Sequence, residues 1–256
     1  MNMDVAPDAS RVTSAPYIPV QALAARVRVE NGKAIVVPLR IAVGEGTLRG
    51  TIQLDGRTDY PKAAANLIFQ NVDLAPFFRD SRYFSATQGK LEGRMALEGT
   101  GRSLAQVMGF ATGDFAIGMT GGTISALLVD LAGLDIADAL LLYIASDHRI
   151  PIRCAMGRLV FEHGVARFDK ALMDTRKSVL HFDGYVGLKQ QTMTLKITAD
   201  AKEFSLANLH APILLNGKIR SPSITIDRAI PIPTPDLGGA KDVACDQRMD
   251  ELLATQ

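Results

Sequence analysis

The 256-residue chain has no tryptophan, only two cysteines, only four histidines and no surplus of charge of either sign. Each scarcity excludes a class of function. Twenty-eight basic side chains against 27 acidic ones leave a formal net charge of +1, and no Lys/Arg run occurs. The electrostatic footprint of a nucleic-acid binder is therefore missing, and nucleic acid is not an expected partner. Aromatic residues make up 6% of the chain, too few for platforms that stack bases or sugars. Cys154 and Cys245 are too few for a disulfide scaffold or a zinc site and neither lies in a CxxC, so spacing alone leaves open whether they pair. His148, His163, His181 and His210 never stand three or four residues apart, and surface or structural roles are expected for them.

Catalytic motifs are absent as well. No GxSxG elbow, GxxxxGK[ST] loop or Rossmann glycine fingerprint occurs. For the glycine doublet of TGGT, residues 120–123, a strand-to-helix turn is the expected reading and an anion site at a helix start the other. Carboxylates are spread along solvent-facing strand positions, so no acid/base pair stands out. The chain reads as a non-enzyme without metal or cofactor. Its start, MNMDVAPDASRVTSAPYIPVQ, has no basic n-region, apolar h-region or small-residue cleavage site. Taken alone it reads as cytosolic, and equally as part of a longer chain.

One run comes close to membrane length: ISALLVDLAGLDIADALLLYIA, residues 124–145. Roughly 20 helical residues span a hydrocarbon core. Asp130, Asp135 and Asp138 each cost about 2.5 to 3.5 kcal/mol at mid-membrane, while its eleven Leu, Ile and Val residues return only about 0.3 to 0.6 each. The run is read as an amphipathic helix, or two meeting at Gly133, with its carboxylates in one polar arc and an apolar surface to cover.

What is abundant is alternation. In GTLRGTIQLDG, Leu48, Ile52 and Leu54 oppose Arg49, Thr51 and Gln53; in KLEGRMALEG, Leu91, Met95 and Leu97 oppose Glu92, Arg94 and Glu98. Phe182, Val186 and Leu188 oppose His181, Asp183 and Tyr185, and Leu195 and Ile197 flank Lys196. Period two with one wet face describes antiparallel strands. ENG (30–32), LDG (54–56), EHG (162–164) and LNG (215–217) supply the turn signals of a meander.

The same segments recur. RVRVENG (26–32) matches RLVFEHG (158–164) at an offset of 132, LRGTIQL (48–54) matches FDGYVGL (182–188) at 134, and VDLA (72–75) matches FSLA (204–207) at 132. The expected organisation is a disordered lead (1–16), a first β-repeat unit (17–110), an insert of strand plus amphipathic helix (111–149), a second unit (150–228), and a linker with a short C-terminal helix (229–256). The fold class is mainly β (α+β): antiparallel meanders in repeated, roughly five-stranded units forming a curved sheet or groove. One greasy sheet face suits half of an ordinary sandwich core. With only one substantial apolar helix to cover two units, it equally suits a binding surface.

Residues 113–209 bring a resemblance. LVDLAGLD (128–135), IPIRC (150–154), GRLVFEHGVA (157–166), LMDT (172–175), KEFSL (202–206), NGKIRSPSI (216–224) and ACDQRMDELLA (244–254) resemble the C-terminal region of the AsmA family, and residues 17–110 are similar to its upstream strand repeat. The resemblance implies a periplasmic domain supporting outer-membrane biogenesis, normally anchored to the inner membrane by an N-terminal helix that this sequence does not show. Its larger relatives resemble chorein-type bridge proteins, so it also implies a β-groove that holds or passes acyl chains. The floor would be Leu48, Ile52, Leu54, Leu67, Phe69, Met95 and Leu97 in the first unit, and Phe182, Val186, Leu188, Leu195 and Ile197 in the second. The implied partners are phospholipid or another acyl lipid and components of the inner- and outer-membrane envelope. The alternative is a lipid-free interaction module regulating outer-membrane protein insertion. An oxidising periplasm would also make Cys154 and Cys245 a disulfide.

Overall fold

A computed structural model describes residues 2–9, 20–78, 87–125, 149–202, 212–226 and 238–254. The alternating segments become strands of one open antiparallel sheet of 15 strands. Two short strands, β1 (Met3–Val5) and β2 (Asp8–Ala9), lie beside β3 (Val20–Glu30). The meander continues through β4 (Lys33–Val43), β5 (Gly46–Asp55), β6 (Lys62–Asp73), β7 (Lys90–Thr100) and β8 (Thr112–Thr120). A three-residue strand, β9 (Thr123–Ser125), pairs with the start of β10 (Arg149–Glu162). Then come β11 (Val165–Thr175), β12 (Ser178–Gly187), β13 (Thr192–Ala201), β14 (Ile213–Lys218) and β15 (Ser221–Ile226). Three helices are described: α1 (Ala75–Phe78), α2 (Leu104–Gly109) and α3 (Cys245–Ala254).

Three expectations need correcting. The lead is not wholly disordered, because Met3 and Val5 pair with Val29 and Val27, and Asp4 accepts from Arg26 at 3.0 and 2.8 Å. An apolar–acidic–apolar triplet is too short to stand out against Pro, Ala and Ser. The LNG signal lies inside β14, with Gly217 at φ +107°, and the turn follows at residues 219–220. Ile124 and Ser125, expected to open the apolar helix, instead form β9, because Ile124 pairs with Ile150. The rest of that helix, the second xxLA segment and the Pro-rich linker fall outside the described residues.

The duplication is written in the backbone. Asn31–Gly32 and His163–Gly164 are paired positive-φ turns, at 48° and 77° against 49° and 80°, the geometry of two-residue hairpins. A bulge between Ala25 and Val27 recurs between Met156 and Arg158, and one between Val36 and Leu39 recurs between Arg167 and Ala171. In the next strand of each unit comes a glycine: Gly50 at φ +154° and Gly184 at φ +142°. A Cβ there would lie 1.9 Å from the Asn66 carbonyl oxygen in the first unit and 2.1 Å from that of Thr194 in the second. Bulges and glycines bend strands locally. Here they fall mid-strand in consecutive strands, so they align into a crease across the sheet and curve it into a trough.

Register then decides the faces, since directly paired residues share one. Leu48 pairs with Phe69 and Ile52 with Ala65; Leu67 pairs with Met95, and Met95 with Phe115. Phe115 pairs with Leu159, Ala166 with Val186, Phe182 with Ile197, and Leu195 with Leu215. One apolar face thus runs unbroken along the meander, and the other is largely polar.

Candidate functional site

Register places eleven of the twelve expected floor residues on that single apolar face. The twelfth, Leu188, lies just past β12, where its backbone N–H donates to the Gly164 carbonyl at 2.9 Å, and packs with Val186 beside Leu97, Phe161 and Ala166. The structure does not gather all twelve into one pocket. Ile52, Leu54, Leu67, Met95 and Leu97 floor an apolar cleft of about 550 Å³. Leu48 and Phe69 lie further along β5 and β6. Phe182 and Ile197 pack on a buried cluster of Met119, Ile124, Ile150, Ile152, Leu180 and Ile213, and Leu195 is buried too.

The wall of the cleft is α2, whose Val107 and Met108 lie over the floor strands while Leu104 stands at the rim. Ser103 begins this helix because its Oγ accepts from the Gln106 backbone N–H at 3.2 Å, while Gln106 Oε1 accepts from the Arg102 N–H at 2.8 Å. This is a near relative of the capping box, written S-x-x-Q in the sequence. A Cβ on Gly99 would come within 2.4 Å of the Val107 carbonyl oxygen. Glycine therefore lets α2 lie directly on β7, which makes the wall a fixed part of the fold. The sequence marks the helix but not its neighbours: which strands a six-residue helix covers is a tertiary fact. Phe115, whose ring centroid lies 5.6 Å from that of Phe69, also extends the floor. It was missed because its strand reads as part of the insert.

On the polar face the structure builds a second site. Cys154 and Cys245 are joined, with Cα atoms 5.9 Å apart. Met249 of α3 is buried against Cys154, Met156 and Leu172, flanked by Val243, Leu252 and Leu253. Beside them Asp174 is wholly buried and accepts from Arg153 at 2.7 Å, from the Val243 backbone N–H at 2.9 Å, and from Lys202 Nζ. Asp242 closes the ring, 2.7 Å from both Arg153 and Lys202. The Lys202 ammonium bonded to it, with both cations' charge, holds the Asp242 carboxyl below its ordinary pKa. Two cations and two carboxylates balance, so the buried charge is compensated. Cys154, Cys245 and Asp174 converge closely enough to suggest a metal site, but sulfurs bonded to each other are not thiolate ligands. The site is a clasp that holds residues 238–254 on the polar face and leaves the apolar face to other uses. Nothing in alternation marks Asp174, although it sits within the LMDT segment.

No helix among the described residues is long and apolar enough to cross a membrane. The AsmA family model matches residues 1–171. The chain is also 23% identical over 222 residues to the AsmA family protein YhjG of Escherichia coli (strain K12), covering 87% of this chain and 32% of that one. It therefore spans about a third of that relative's length. No solved structure matches the chain.

Proposed function

The chain belongs to the AsmA family, whose members are associated with the cell envelope, and from that premise we propose that it supports outer-membrane biogenesis by holding or passing phospholipid acyl chains along its apolar sheet face. The observation that carries the reading is the unbroken apolar face of the creased sheet, with Leu54 still 45% exposed. A continuous greasy surface of this extent is a binding surface. The clasp supports the same reading, since it draws the C-terminal segment to the opposite side.

No catalytic group is needed. Each methylene leaving a bilayer for the trough exchanges about 0.8 kcal/mol in both directions. Transfer is then close to isoenergetic, and headgroups stay in water at the strand ends. The location proposed with this function is the periplasm at the inner membrane, with inner- and outer-membrane components as partners.

Native mass spectrometry of gently purified protein is expected to find co-purified phospholipid. Uptake of a fluorescent fatty acid should be abolished by Ile52→Asp or Val186→Asp, which place a carboxylate on the floor. Unchanged uptake in both variants would overturn the assignment of the face. A lipid-free protein that takes up no fatty acid would favour the interaction module.

A further inference from the structure

We infer that the cleft beneath α2 is a discrete station for one acyl chain bearing an oxyanion head, with the chain on Ile52, Leu67, Met95 and Leu97 and the head at Arg102. This rests on the lipid-handling reading and adds to it a stoichiometry, a place and a charge.

Volume sets the stoichiometry. At about 30 Å³ for each methylene, the share of liquid volume that a water molecule takes, the cleft's 550 Å³ is the size of one long acyl chain. Rigidity makes the place discrete, because α2 lies on Gly99 and is capped by Ser103, and a preformed cleft spends little on ordering itself when a ligand enters. Leu104, 78% exposed, stands at the mouth, and Tyr60, 65% exposed, lies against Arg102.

The charge follows from what else borders the cleft. Among the described residues two ionisable ones do so, Glu98 and Arg102. Glu98 pairs with Ala64 and alternates with Leu97, so its side chain projects from the polar face. Among the described residues this leaves Arg102 as the charged side chain of the cleft. It is steadied by its Nε donating to the Asp59 carbonyl at 2.9 Å and by its guanidinium 5.4 Å from the centre of the Tyr60 ring. Among the described residues it has no carboxylate partner. A guanidinium held at the mouth of an apolar cleft suits a carboxylate or phosphate head, which it can engage through two donors.

Calorimetric titration of the full chain with palmitate, 1-palmitoyl-lysophosphatidylglycerol and uncharged monopalmitoylglycerol tests the inference. Both anions are expected to bind tighter than the neutral lipid, and the tighter of the two tells a fatty acid from a phospholipid source. Arg102→Gln should weaken only the anions, by roughly tenfold to a hundredfold; equal loss for all three would overturn the role of Arg102. In an alkanoate series affinity should rise about fourfold per methylene and level off once the cleft is full. A rise that never levels overturns the single-chain station.

Ala65→Phe, which fills the floor between Ile52 and Leu97, should remove binding. Photoactivatable palmitate on the unaltered protein locates the chain independently of how that variant folds. Label on β5–β7 and α2 is the expected result. Label confined to β12 and β13 overturns the station and leaves the general reading standing, whereas no label on the apolar face overturns both.

Discussion

The two units share a backbone and differ in what they do with it. Their registers superimpose: Val20 pairs with Val43 where Ile152 pairs with Thr175, Ala22 with Ala42 where Cys154 pairs with Asp174, and Ala24 with Arg40 where Met156 pairs with Leu172. Turns, bulges and crease glycines recur at the same places. Side chains at equivalent positions have parted. The second unit has a disulfide, a buried carboxylate and an apolar patch on its polar face, and so holds α3. The first has three alanines and Arg40 there, and among the described residues takes the short β1 and β2 at its edge. On the other face the ranking reverses, with the second unit packing a buried cluster and the first leaving its floor open under α2. Curvature is thus a backbone property that duplication copies whole, while burial and binding are side-chain properties free to diverge within it.

The largest break in this comparison is expected at Asp174. Asp174→Ala leaves Arg153 and Lys202 partly unpaired in a buried site, which costs about 3 to 5 kcal/mol. At about 2 to 4 °C per kcal/mol for a chain of this size, thermal unfolding should shift down by roughly 10 °C. Ala42→Ser, at the matching position of the first unit, should leave the midpoint nearly unchanged. A small shift for Asp174→Ala would mean that the clasp contributes little beyond its disulfide.

Next come the leucines opposite the crease glycines, Leu195 facing Gly184 and Leu67 facing Gly50. Leu195 is 8% exposed, and Leu195→Ala should cost about 2 to 5 kcal/mol by denaturant unfolding. Leu67→Ala should cost less than about 2 kcal/mol, since part of its surface is already wet, and should weaken fatty-acid binding. Equal destabilisation would erase the contrast between closed and open floors.

Gly50→Ala and Gly184→Ala should each cost about 1 to 3 kcal/mol, because each puts a Cβ against a neighbouring backbone at a φ that favours glycine. Near-equal values would sharpen the claim that the two bends are one device used twice.

The smallest effect is on acidification. The Asp242 pKa is depressed in the folded protein, so its stabilising contribution is fully present at neutral pH and is lost as pH falls below the ordinary carboxylate range through the lowered folded value. Hydrogen exchange in residues 238–254 should accelerate there before exchange in β5 and β6 does. Simultaneous acceleration would show that the segment is not separately held.

Period two makes the face of the floor residues within strands readable, because alternation leaves each side chain one of two sides; Leu188, past the end of β12, lies outside that rule. The ENG and EHG turns are readable for a similar reason, since short positive-φ turns accept few residues. Where the crease runs is less so: Gly50 and Gly184 are visible as glycines, but a bulge such as that around Val37 and Pro38 needs the partner strand to define it. The cleft was half visible, its floor given by alternation and its wall by S-x-x-Q, with their meeting encoded only in how Gly99 lets one lie on the other. Asp174 stayed hidden because a carboxylate at an alternating position looks solvent-facing until Arg153, Lys202 and Val243 are brought around it from distant segments. The C-terminal segment itself was legible as a helix but not as to which side of the sheet it would take.

The sheet does not close on itself: β1 lies at one edge and β15 at the other. Strands stack about 4.8 Å apart, so a further copy of the six strands β10–β15 at either edge would lengthen the trough by about 29 Å and leave its cross-section, fixed by the mid-strand bends, unchanged. Width and length are therefore set by independent variables. One is tuned residue by residue within a strand, and the other by copy number, so that the reach of such a molecule can change by duplication without redesign of what it carries.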